Sequence, residues 1–458
     1  MVGVELRRDS SGQRGRRLNA VLGVAMEGIS GAIEVMLLPS LVLAFFVAEL
    51  TPSYTTIGLV PAVAMAFWTL ARIPAMLLTS GRRHKQPWAF GAAVVRAGAI
   101  LVLAIVALRT DPAALANSAR PLLGTLFLCL IVYALAGGFG SVPQFALLRG
   151  TASSEAWNAF LSRRALWSAL LGILAASIVA RILGSAALAF PNNYGRLFLV
   201  AAVLLVAVAA IATALRDPVG AVFAEPVLAP RAWRQPIADT RFRRYLLFQV
   251  LIAATAAIDP FLFLYAVTRL GIPVTAIGSY VLFAVLGWVL TAPLWYWLDQ
   301  RSGPRGVLQA AAVVRLLSPA LALVVPQIAA SDPLRARLGE TTMTINLYGL
   351  AFFAIGASLA AVSRGGYSYL AAIAPRQLLR PAISLSNMIL AAAAFAPVAG
   401  GAMIQRFGYE VLFGAAAALG LAAVFAGGQL IATPAVGWER ASGERAPGTF
   451  RALPSGPL

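Results

Sequence analysis

Ala92-Ala93-Val94-Val95-Arg96, inside one long apolar run, returns as Ala311-Ala312-Val313-Val314-Arg315 inside another, at an offset of 219 residues. Outward from that pair, Tyr133-x-Leu135-Ala136 and the following Arg149-Gly150 return as Tyr348-x-Leu350-Ala351 and Arg364-Gly365, at an offset of 215 residues. Pro39-x-Leu41-x-Leu43, Ile57-Gly58 and Trp68-x-Leu70 return as Pro260-x-Leu262-x-Leu264, Ile277-Gly278 and Trp288-x-Leu290. One five-residue match in Ala/Val-rich sequence could arise by chance. Three collinear matches at nearly one offset, covering most of both halves, point to an internal duplication.

The chain is 60% hydrophobic and 12% charged, against roughly 45–50% and about 25% in soluble globular domains. Apolar runs of about 18 residues or more read as bilayer spans, because only a helix satisfies its own backbone hydrogen bonds in lipid. Twelve such runs are expected: 19–48, 56–80, 88–108, 121–148, 164–188, 196–215, 245–268, 274–297, 306–327, 343–374, 381–404 and 409–432. This gives an all-α membrane protein with an N-terminal six-helix half (19–216) and a C-terminal one (244–432). A basic N-terminal segment (1–18), a cytoplasmic linker rich in Pro and Arg (217–243) and a loose tail (433–458) complete it. Pro39, Pro61, Pro74, Pro143, Pro260 and Pro397 are expected kink points, since each removes a backbone donor.

Arginine placement sets the expected orientation. With both termini in the cytoplasm, Arg7, Arg8, Arg14, Arg16, Arg17, the Arg82-Arg83-His84-Lys85 loop, Arg149, Arg163, Arg164 and the stretch from Arg216 to Arg244 all fall inside. The outer loops keep only Arg109, Arg120, Arg181, Arg196, Arg269, Arg335, Arg337 and Arg406. The bias runs in the direction of the positive-inside rule, so the formal charge of +19 reflects topology and contact with the lipid bilayer. Arginines scattered over many short loops do not form a nucleic-acid-binding face. Lys85 is the only lysine, and from the Arg-over-Lys usage, the short loops and no recognisable presequence a bacterial inner membrane is the expected location. No Gly-x-x-x-x-Gly-Lys-Ser/Thr loop offers a nucleotide site. The single His84 and single Cys129 give no metal cluster or disulfide. No cofactor and no enzymatic activity are expected.

Twelve spans in a 6 + 6 arrangement with parallel repeats and a basic middle linker resemble the major facilitator superfamily of secondary transporters. That family's loop motif, Gly-x-x-x-Asp-Arg-x-Gly-Arg-Arg/Lys, is partly kept between spans 8 and 9 as Asp299, Arg301, Gly303 and Arg305, with one residue inserted. The copy between spans 2 and 3 keeps only Gly81, Arg82, Arg83 and Lys85 and has no acid. The resemblance implies alternating access, a central cavity faced by helices 1 and 7, and a gating role for the Asp299 loop. It implies a monomer moving a small-molecule substrate, with lipid translocation or an assembly role on the same fold as the alternative.

Charges in mid-membrane each ask for a reason, since one costs roughly 2.5–3.5 kcal/mol even on lenient insertion scales. Glu27 and Glu34 lie two turns apart on one face of span 1, with Ser30 and Gly31 between them. Asp259 precedes Pro260, the repeat mate of Pro39, and Glu34 lies five residues before Pro39. These carboxylates are the candidates for exchanging protons during transport, with export of an amphipathic compound slightly favoured over nutrient uptake. Arg72 on span 2 is a candidate cavity cation, whereas Arg96 and Arg315 lie within snorkelling reach of the membrane edge. Tyr133, Gln144, Phe261, Tyr265, Tyr348 and Asn387 are candidate substrate contacts, and Trp295, Tyr296 and Trp297 read as an interfacial aromatic belt. If this topology holds, a cysteine introduced into the 217–243 linker should resist impermeant maleimides in intact cells and react after permeabilisation. Labelling of intact cells would invert the orientation.

Overall fold

The computed structural model describes residues 2–79, 82–149, 154–185, 187–217, 236–329, 340–375 and 378–432. Gly81, most of the expected linker and the tail lie outside them. Every described element is helical. The first half runs α1 (Val2–Met36, continued by a π-type turn Pro39–Leu43 and a short helix Ala44–Ala48), α2 (Tyr54–Thr79), α3 (Gln86–Arg109), α4 (Leu115–Arg149), α5 (Ser154–Leu183) and α6 (Asn192–Ala214). In the second half, α7 runs Thr240–Ala254, a 3-10 turn Thr255–Ile258, then Asp259–Leu270.

The next two expected spans form one continuous segment, Val274–Ile328, so eleven rather than twelve separate apolar helices are present among the described residues. That segment is still two membrane crossings. Ile277, Tyr280, Ala322 and Val325, from its two ends, share one buried cluster, while Trp295 and Val307, near its middle, share another. The chain therefore doubles back, and it does so at Gly303, whose φ of 68° is open to glycine and strained for other residues. We label its limbs α8 (277–302) and α9 (304–329); α10 (Glu340–Ile373), α11 (Leu379–Ala393 and Ala396–Phe407) and α12 (Tyr409–Gly428) follow.

Prolines interrupt helices at three of the six expected places. The breaks fall at Pro39, just before Pro260 and just before Pro397, whereas Pro61, Pro74 and Pro143 sit inside uninterrupted helices. Most helices begin before the expected edges, α1 the furthest, at Val2 rather than 19. The fifth helix begins at Ser154, ten residues early, so Arg163 and Arg164 are helical. The seventh begins at Thr240, where the Asp239 side chain accepts from the Arg241 amide and caps it.

The duplication persists in packing. α2 presses on α4, and α8 presses on α10. A Cβ on Gly138 would meet the Trp68 carbonyl at 2.0 Å, and one on Gly356 would meet the Ala284 carbonyl at 1.9 Å. With little hydrophobic drive between helices in lipid, such close approach supplies the van der Waals contact that holds them. Gly98 on α3, by contrast, has nothing within 4 Å of a built Cβ. Gly356→Ala should therefore lower the unfolding midpoint of the purified protein, by an overpacking cost of about 1–3 kcal/mol, while Gly98→Ala leaves it unchanged or raises it. Equal midpoints for the two variants would show that the α8–α10 contact does not hold the second half together.

Candidate functional site

The two halves meet at the end of the molecule that carries Tyr54 and Tyr409, the Tyr54 face. Phe45 packs on Phe263 with ring centroids 4.6 Å apart, and Tyr54 packs on Phe261 and Tyr409 at 6.2 and 5.7 Å. Backbones close the same seam: a Cβ on Gly58 would meet the Pro397 carbonyl at 2.2 Å, and one on Gly278 the Ala180 Cα at 2.0 Å. At the opposite, Asp299 face the ion pairs stay within one half: Arg164–Glu27 at 2.7 Å in the first and Arg364–Asp299 at 3.1 Å in the second.

Three of the expected cavity residues belong to that closed aromatic seam. Phe261 and Tyr348 are fully buried and Tyr265 nearly so. Tyr265 and Tyr348 lie 6.4 Å apart within a cluster that includes Tyr280, Phe352, Tyr409 and Phe413. The Tyr348 hydroxyl donates to the Leu262 carbonyl at 2.9 Å, which satisfies a backbone group near the break in α7.

In the second half, Asp259 does not stand alone. Arg315 Nη2 donates to its Oδ1 at 2.6 Å, with both side chains buried or nearly so. Arg315 Nε donates to Thr255 Oγ1 at 2.8 Å, and that hydroxyl donates to the Ile252 carbonyl at 2.6 Å. The 3-10 turn thus places Thr255 and Asp259 on one side, four residues apart, where a single guanidinium spans both. Arg315 is not snorkelling to the membrane edge. Its head is turned inward because a carboxylate and a hydroxyl meet it there.

Arg96, its repeat mate, has different company. It is 8% exposed, donates Nη2 to the Tyr133 hydroxyl at 2.7 Å, and lies 4.6 Å from the Tyr133 ring and 5.4 Å from the Trp68 ring. Its Nε is buried without a hydrogen-bond partner. Cation–π contact offsets part of the cost of burying that charge.

The span-1 carboxylates separate into two roles. Glu27 is held: Arg164 pairs with it, and Gln144 Nε2 donates to it at 2.6 Å, so two expected site residues come together across α1 and α4. Glu34 lies between fully buried Ile33 and Met36, with its own side chain left open on the helix surface and no ion pair among the described residues. Arg72 on α2 is half-buried with an unpartnered Nε, and Asn387 on α11 is half-buried beside buried Ser386.

The loop expected to act as a gate is tied to its own half. Asp299 is 3% exposed and pairs with Arg364; Arg305 donates to the Gly428 carbonyl at 2.8 Å; Arg301 stacks over Trp297. Of the expected aromatic belt, Tyr296 and Trp297 are exposed, whereas Trp295 is buried and donates to Thr291. The sequence reading passed over a buried chain in which Ser386 donates to Gln249, Gln249 to Tyr245 at 2.6 Å, and Tyr245 to the Gly366 carbonyl at 3.0 Å. Gln249 in mid-span was its visible signal. Arg164, also missed as a site residue, could be found only by pairing it across helices with Glu27.

No family model matches the sequence, and no curated protein matches it. Solved structures do. A nucleoside transporter, NupG, aligns with a TM-score of 0.64 at 12% identity over 91% of this chain and 100% of its own. A POT family transporter in complex with 5-aminolevulinic acid gives 0.64 at 13% over 90% and 94%, and a D-xylose-proton symporter 0.63 at 12% over 93% and 98%. A bacterial homologue of the iron transporter ferroportin, in an inward-facing state, gives 0.59 at 14% over 91% and 98%. All are transporters, and at this identity the likeness establishes the fold alone, the major facilitator fold.

Proposed function

We propose that the chain is a secondary transporter that moves a small organic solute across a bacterial inner membrane by rocking its two halves, and that Glu34 exchanges the proton that drives it. The observation that carries this reading is the contrast between two carboxylates. Asp259 is clamped by Arg315 and Thr255. Glu34 is left open on the surface of α1, in mid-span, and has no direct ion pair among the described residues. A carboxylate without a fixed counter-ion can load and release a proton without breaking a salt bridge. The similar D-xylose-proton symporter supports proton coupling as a device this fold accommodates.

With the termini in the cytoplasm, the Tyr54 face is the outer one, and its aromatic seam makes this conformation inward-facing. Glu34 then equilibrates with the cytoplasm, and opening the seam would present it to the outside. Outward movement of an amphipathic solute is our reading of direction, since the spans that meet at the centre are mostly apolar. A solute entering a site of that kind gains by leaving water.

Two substitutions separate the carboxylates. Glu34→Gln should fold and insert normally, retain solute exchange, and lose movement driven by a pH gradient in proteoliposomes. The solute would first be found by thermal-shift screening of the purified chain. Normal gradient-driven movement in that variant would exclude Glu34 as the carrier. Asp259→Asn should instead lower the unfolding midpoint, because a buried guanidinium left without its carboxylate costs about 3–5 kcal/mol. An unchanged midpoint would mean that the Arg315–Asp259 pair is not structural.

A further inference from the structure

A narrow cleft inside the first half, between α1, α3, α4 and α6, has a volume of about 10 Å³, room for one water or one ligand oxygen, and is open to one side. Its wall is made of small residues, among them Ala89, Ala92, Gly137 and Gly140, which leave room without offering a polar group. The polar side chains on the wall are Arg96 and Gln144. Gln144 has its amide nitrogen committed to Glu27, and Glu27 is neutralised by Arg164. Arg96 has used one donor on a neutral hydroxyl and holds a second, Nε, buried and unpartnered. The corner therefore carries a guanidinium whose hydrogen-bond partner is a neutral hydroxyl and which keeps an unspent donor.

The repeat shows what is missing. The same arginine in the same five-residue motif of the second half is met by a carboxylate at 2.6 Å. The position of the first half that corresponds to Asp259, one residue before the repeat proline, is Leu38. Keeping a guanidinium in a low-dielectric interior is unfavourable until an anion meets it. Among the described residues no carboxylate is bonded to Arg96.

We propose that Arg96, with Tyr133 beside it, binds the anionic head of a ligand (a carboxylate or a phosphate) in this cleft, supplying from outside the negative charge that Asp259 supplies to Arg315. A planar guanidinium with neighbouring free donors suits an oxyanion better than a halide. The cleft lies within one half rather than between the halves, so this is a claim about binding, independent of which group carries the proton. The same chemistry would serve a free solute or the head group of an anionic lipid.

The test uses the full chain in neutral detergent, titrated with sodium phosphate and with sodium benzoate against sodium chloride at matched ionic strength. In parallel, the chain is placed in nanodiscs with and without phosphatidylglycerol. At least one of these anions should raise the unfolding midpoint in a saturable way. Arg96→Gln should weaken the apparent affinity about tenfold or more, and Arg96→Lys, which keeps the charge but loses the fork, by a smaller factor. A shift with the soluble anions assigns the site to a solute, and one with phosphatidylglycerol alone assigns it to a lipid head group. No saturable shift, or an equal one in wild type and Arg96→Gln, overturns the proposal. Should Arg96→Gln fail to fold, an undiminished affinity in Arg96→Lys overturns it. Because the readout is binding, failure here leaves the Glu34 transport experiment to stand or fall by itself.

Discussion

A bilayer offers no water to an unpaired backbone group, and that constraint shapes the rest of this protein. It makes every described element helical and forces each interruption of a helix to be satisfied by protein. The breaks in α1 and α11 are closed by backbone bonds, whereas the break in α7 also draws in side chains. At the α7 break, Thr255 bonds the Ile252 carbonyl and the Tyr348 hydroxyl bonds the Leu262 carbonyl. The carbonyl that Pro260 cannot meet, that of Ala256, takes the Asp259 amide instead, and Thr255 in the same turn accepts from the Arg315 that holds Asp259.

Charge burial follows a second rule, and the duplication makes it visible. Arg96 and Arg315 occupy equivalent places, and both are buried rather than snorkelling. In the second half the charge is neutralised by a fixed partner and a hydroxyl, giving a rigid joint between α7 and α9. In the first half it rests on two aromatic faces and a phenol, contacts that are weaker and less directional. Each guanidinium keeps one unpartnered nitrogen, Nε in Arg96 and Nη1 in Arg315, but only Arg315 is bonded to a carboxylate.

The seam between the halves is held by different physics. Aromatic rings and glycine-mediated backbone contacts close the Tyr54 face, while the ion pairs at the Asp299 face stay inside single halves. Ring packing and close backbone approach are broad, non-directional contacts that can part and re-form without leaving a charge stranded. Ion pairs confined to one half survive such a motion intact. This division is what a rocking movement of two rigid bodies requires.

The sequence by itself determined the membrane environment, the two halves and the place of each charged group along its helix. Period, hydropathy and repetition are local properties, and lipid leaves helices no alternative. It also located the breaks at Pro39, Pro260 and Pro397, though not the continuity of Pro61, Pro74 and Pro143, because whether a proline breaks a helix depends on what neighbouring helices can do for the freed carbonyl. Tertiary structure alone decided which carboxylate is held and which is reachable. Glu27, Glu34 and Asp259 look alike as acids in apolar runs, and only packing brings Arg164 and Gln144 to the first and Arg315 to the third. It likewise packed Phe261 against Tyr54 across the halves and buried Tyr265 and Tyr348 among rings of the second half. It also separated Arg96 from Arg315, since an identical motif fixes a residue's position on its helix but not the partner that faces it.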